Sequence, residues 1–119
     1  MDVMKLQMAT IAHLQWKSKL SDFFYGVEDL SHAQVPDHNT CEFGRWLNAS
    51  GLKDFSFFPE MKELVPLHKD IHDTIKHMVH MPKEVRKSDA GKKALKEFRA
   101  KCDKFVQLLE TVEGQAKRA

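Results

Sequence analysis

Apolar residues in the first part of the chain recur three and four positions apart: Leu6, Ala9, His13, Trp16, Leu20, Phe23 and Val27, with polar side chains between them. No Gly or Pro intervenes before Gly26. The alternation predicts an amphipathic helix from Val3 to about Val27 that packs into a bundle. A second stripe, Leu64, His68, Ile71, Ile75 and Met78, lies on a helix opening near Pro59 and ending at about His80, ahead of Pro82. Pro66 deletes a backbone bond inside it, which predicts a bend near residues 62–65 or a fresh start there. A third stripe, Leu95, Phe98, Cys102, Phe105, Leu109 and Val112, predicts a final helix capped by Ser88 or Asp89 and running to about Glu113. The polar tail from Gly114 to Ala119 is expected to fray.

Between the first two stripes the pattern breaks. Leu30 to Thr40 has loop composition and ends in Asn39 and Thr40, either of which suits a helix N-cap. They precede a short helix, Cys41 to Ser50, about three turns long, with Gly51 suited to a left-handed C-cap. Phe43, Trp46 and Leu47 form its buried face. Gly44 in mid-helix costs about 1 kcal/mol against Ala, a penalty that makes sense where another backbone passes close by. Leu52 to Pro59, with Phe55, Phe57 and Phe58, reads as an aromatic turn plugging one end of the bundle, and Lys83 to Asp89 as a charged linker.

Composition narrows the class without changing the picture. Only 5 Gly and 4 Pro in 119 residues, with few Val and Ile, favour an all-α domain. That length suits one domain with a single core, residues 1–119. With 19 basic and 17 acidic side chains, the net charge of +2 gives no bulk electrostatic reason for a nucleic-acid or membrane partner. The apolar runs are too short for a membrane span and lack a signal-peptide cleavage site, so a cytoplasmic location is expected. There the two cysteines stay reduced, and metal binding or burial is their use.

The candidate chemistry centres on Leu67-His-Lys-Asp-Ile-His72. Four residues apart on a helix, His68 and His72 stack on one face and can reach a single metal ion. Two ligands do not close a tetrahedral site. His13, at a seam position where it must shed water, and Cys41, in the first turn of the short helix where backbone N–H groups and the dipole lower a thiol pKa, are the candidates for the rest. One thiolate and three neutral imidazoles suit zinc, with Zn–S near ~2.3 Å and Zn–N near ~2.0–2.1 Å. His32 and His38, beside Cys41, are the substitutes, and His77 and His80 lie off the seam. Each member alone has a bland explanation: a hydrogen-bonded seam histidine, a buried cysteine, surface imidazoles. Three seam histidines and a cysteine in a thiolate-favouring position together favour a shared partner. Cys102 reads as packing. A zinc hydrolase is disfavoured, because Lys69 stands where the His-Glu-x-x-His pattern needs its general base and four protein ligands leave no position for water.

His13-Leu-Gln-Trp16, Cys41-Glu-Phe-Gly44-Arg-Trp46 and His68-Lys-Asp-Ile-His72 together resemble the signature of the chemoreceptor zinc-binding domain: His-x-x-aromatic, Cys-x-hydrophobic-Gly-x-Trp, His-x-x-x-His. The resemblance implies an antiparallel four-helix bundle with an additional short helix carrying the Cys motif, often homodimeric. It also implies one zinc per chain held by His13, Cys41, His68 and His72. Such domains stand alone or attach to chemoreceptors or diguanylate cyclases. The implied function is regulatory, not enzymatic: sensing of zinc or of oxidants such as hypochlorous acid, with Cys41 as the redox switch. A structural zinc bundle for protein interaction uses the same ligands.

Overall fold

In the computed structural model, which describes residues 3–27 and 29–118 and leaves the side chain of His32 outside the described residues, the three seams become the buried faces of three long helices. These are α1 (Val3–Phe24), α4 (Met61–Val79) and α6 (Asp89–Arg118). Between α1 and α4 the chain forms a single 3-10 turn at His32–Gln34 and then a helical run: α2 (Glu42–Trp46), a wider π-turn at Leu47–Gly51, and α3 (Leu52–Phe55). One further turn of helix, α5 (Lys83–Arg86), joins α4 to α6. Among the described residues no strand occurs, and the all-α bundle expected from the sequence is what the chain forms. None of the described helices is long and apolar enough to cross a membrane.

Polar contacts along the helix margins fix the directions. Gln7 Nε2 donates to Glu113 at 2.7 Å, Lys17 pairs with Asp103 at 2.6 Å, and Arg99 donates to Ser21 at 2.6 Å. Rising numbers on α1 thus meet falling numbers on α6. Lys101 with Asp70 at 3.1 Å and Lys104 with Glu63 at 3.3 Å do the same for α4. α6 is therefore antiparallel to both α1 and α4, and these two run parallel, because the 25–60 segment carries the chain back. The 30 residues of α6 span about 45 Å at 1.5 Å per residue and set the long axis of a body measuring 49 × 23 × 20 Å.

The core follows the seams. Leu6, Leu20, Phe98, Cys102, Phe105, Leu64, Ile71 and Ile75 are wholly buried, and His13, His68 and His72 join them. The structure differs from the sequence reading at several boundaries. Val27 is 76% exposed, because α1 ends at Phe24 and Gly26, at φ 80, turns the chain away. Gly51 is right-handed at φ −60 and sits inside a continuing helical run. Its role is steric: a Cβ there would meet the Trp46 ring at 2.9 Å. Helix α4 opens at Met61, not Pro59, and passes through Pro66 without a fresh start. The tail does not fray at Gly114, since α6 continues to Arg118 with Lys117 paired to Glu113 at 2.9 Å. Ser88 caps α6, its hydroxyl accepting from Gly91 N at 3.4 Å.

Candidate metal centre

Parallel α1 and α4 bring His13 alongside the His68–His72 pair. The paired rings lie 4.7 Å apart between centroids, and the His13 ring is 5.5 Å from His68 and 5.9 Å from His72. One ring nitrogen from each of the three falls within 4.8 Å of the others, and all three residues are buried. A tetrahedral zinc ion sets its nitrogen ligands ~3.3–3.4 Å apart and a nitrogen and a sulfur ~3.6 Å apart, given the usual bond lengths. Nitrogens no more than 4.8 Å apart are close enough for one ion to be held among them.

The chemistry of the donor set fits a metal. His13 Nδ1 lies 2.7 Å from the Ala9 carbonyl, and His72 Nδ1 lies 2.8 Å from the Pro36 carbonyl. A carbonyl oxygen only accepts, so each Nδ1 carries the proton and each Nε2 presents a lone pair. Both Nε2 atoms are buried without a hydrogen-bond partner among the described residues. Such orphaned acceptors are rare in native interiors, whereas a carbonyl on the far nitrogen is the usual way a metal-binding imidazole is oriented. Burial pushes the His13 pKa down to about 4 and that of His68 to about 3, the latter helped by the neighbouring His72, His13 and His38. His72 is lowered too, again chiefly by burial. All three rings are neutral at pH 7, the state that binds metal.

Cys41 stands at the edge of this group. It is itself the N-cap of α2, at φ −70 and ψ 157, with its sulfur accepting from Gly44 N at 3.2 Å; Asn39 and Thr40 do not take that position. The sulfur is 3.4 Å from His68 Nε2, close to the separation a shared ion would impose. Contrary to the sequence expectation, the thiol pKa is raised: burial outweighs the lowering by the Gly44 and Phe43 amides. Its thiolate thus needs a cation beside it. Gly44 is required by a close approach, as expected, since a Cβ there would fall on the His38 carbonyl oxygen.

Two aromatic rings wall the cluster. Phe105 lies 4.4 Å from the His13 ring and stacks on His68 at 5.7 Å, while Phe43 meets His68 edge-on at 5.0 Å. A cavity of about 300 Å³, lined in part by Met8, Trp16, Thr40, Cys41 and His72, opens beside them. His38 is half-buried with its ring 6.3 Å from that of His68, whereas His77 and His80 are exposed. Cys102 is fully buried among the seam residues, its thiol pushed up to about 12. The sequence offered no signal for the Pro36 and Ala9 carbonyls, since every residue carries one.

Residues 13–79 match the chemoreceptor zinc-binding domain family. The match covers more than half of the chain, begins on His13 and takes in Cys41, His68 and His72; the chain belongs to this family. No curated protein and no solved structure matches it.

Proposed function

We propose that residues 1–119 form one regulatory domain that binds a single zinc ion through His13, Cys41, His68 and His72, with Cys41 as its redox-sensitive member. The observation that carries this reading is the pair of buried, partnerless Nε2 atoms on His13 and His72 next to a sulfur 3.4 Å from His68 Nε2. When bound, the cation favours the Cys41 thiolate electrostatically and ties α1, the N-terminus of α2 and α4 together. The chain's own part is to hold three neutral imidazoles in a buried pocket and to fix the tautomers of His13 and His72 through the Ala9 and Pro36 carbonyls.

Hypochlorous acid would convert the Cys41 thiolate to sulfenic acid and release chloride, the sulfur giving up two electrons and gaining the hydroxyl. The neutral product is a poorer ligand. Cys41 caps α2, so its departure also removes the acceptor of the Gly44 N–H, and the start of α2 is the element free to move. Membership of a chemoreceptor family supports a signalling output module as partner, a chemoreceptor or diguanylate cyclase joined in cis or met in trans. Exposed Met4, Met8, Ile11 and Leu14 on α1 support a homodimer, and the near-balanced charge supports neither a nucleic-acid nor a membrane partner. A structural zinc that never exchanges would use the same ligands. Hydrolysis is disfavoured because Lys69, at the position of a general base, is paired with Asp73 at 2.9 Å.

The test is a zinc titration against a fixed competing chelator, with X-ray absorption at the metal. One zinc per chain with a sulfur neighbour near ~2.3 Å, and weaker binding by Cys41→Ser, is the expected result. Unchanged affinity together with no sulfur neighbour would refute the ligand set.

A further inference from the structure

The segment before α2 is fastened to α4 at three points. The Pro36 carbonyl accepts from His72 Nδ1, Asp37 forms an ion pair with Lys76, and Cys41 touches His68. His38 lies within this strap, half-buried, with its ring edge-on to His68 at 6.3 Å between centroids. Its backbone is held in place as well. Thr40 N and Cys41 N both donate to the Asp37 carbonyl, at 3.1 and 3.0 Å, and the His38 carbonyl packs against Gly44, where a Cβ has no room. A fourth imidazole therefore faces the same His68 ring that the Cys41 sulfur faces, three residues upstream, outside the proposed ligand set.

We propose that His38 is a reserve ligand: when Cys41 is lost from the metal by oxidation, His38 turns inward on its own side-chain torsions and takes the vacated position, giving an all-imidazole site. This rests on the ligand reading above. The oxidation is the two-electron step already described, thiolate plus hypochlorous acid giving sulfenic acid and chloride, and the ligand exchange that follows breaks no covalent bond. Imidazole is an ordinary zinc ligand. The replacement is short-range because the strap already holds His38 against the site. The consequence is that oxidation changes the coordination from one sulfur and three nitrogens to four nitrogens without discharging the ion. Domains working this way report oxidant by the movement of Cys41 and α2, with the metal retained.

A double-mutant cycle tests it, using Cys41→Ala, His38→Gln and the double variant, with zinc affinity and X-ray absorption as readouts. His38→Gln alone is expected to leave affinity within about twofold, whereas in the Cys41→Ala background it should cost about tenfold or more, the non-additivity of residues that share one task. The Cys41→Ala spectrum should show four nitrogen or oxygen neighbours, with the imidazole signal reduced in the double variant. If the His38 substitution has the same effect in both backgrounds, the reserve role is overturned while the ligand set stands. A wild-type spectrum without sulfur at the metal would instead overturn the ligand set and the reserve role together. Circular dichroism of the zinc-free variants separates loss of fold from loss of ligand.

Discussion

The His38 carbonyl oxygen occupies the space where Gly44 would carry a Cβ, so the loop and the first turn of α2 are in backbone contact beside the Cys41 sulfur. Gly44→Ala cannot be absorbed by a side chain swinging aside. It should destabilise the fold by about 2–3 kcal/mol, near the upper end of overpacking costs, despite the gain in helix propensity of about 1 kcal/mol. Urea unfolding of the zinc-free variant checks this, and weaker zinc binding should accompany it because Cys41 is displaced with the loop.

Acid should unfold the metal-free protein. The pKa of His13 is pushed down to about 4 and that of His68 to about 3 by burial, against an ordinary value of about 6.5. Below pH 6.5 the unfolded chain takes up protons that the folded chain refuses, so stability is present above that pH and is lost as pH falls. Each ring contributes about 1.4 kcal/mol per pH unit within its window. Chelator-treated protein should show a falling urea midpoint from pH 6.5 to 4.5, with a shallower slope in His13→Gln.

The two thiols should differ in reactivity. Cys41 is half-buried and borders the cavity, whereas Cys102 is wholly buried with its pKa at about 12. Iodoacetamide at pH 8 should modify Cys41 in the zinc-free protein, more slowly than a free thiol because its pKa is raised, and leave Cys102 untouched until unfolding. Zinc should protect Cys41, and mass spectrometry of the digest reads both sites.

Phe105 touches His13, His68 and Phe43 and is wholly buried. Phe105→Ala should cost about 3–5 kcal/mol, and it should also loosen metal binding, since the ring is the wall against which two imidazoles stand. Saturating zinc should recover part of the loss by mass action. Calorimetry with and without zinc distinguishes this from an ordinary core truncation elsewhere, such as Leu109→Ala, whose cost zinc should offset without a change in affinity.

Much of this was legible from spacing. The seams predicted the burial of His13, His68 and His72 because helical periodicity alone decides which side faces inward. What spacing could not give was the chain's handling of exceptions. Gly51 has the same sequence appearance whether it caps a helix or clears a path for the Trp46 ring, and only packing separates the two. The Cys41 pKa went the other way from a dipole argument because half-burial costs a thiolate more than three nearby amides return. The partners of His13 and His72 are main-chain oxygens, invisible to residue type. The contact of His13 with Phe105 joins opposite ends of the chain, where no local pattern reaches.

His13 Nε2 and His72 Nε2 are buried with no hydrogen-bond donor for their lone pairs among the described residues. An interior built in this way is finished only by a guest, and a host lacking one opens more often. Trypsin should therefore act as a gauge of metal status, cutting after Lys53 and after Lys62 faster in chelated protein than in zinc-loaded protein.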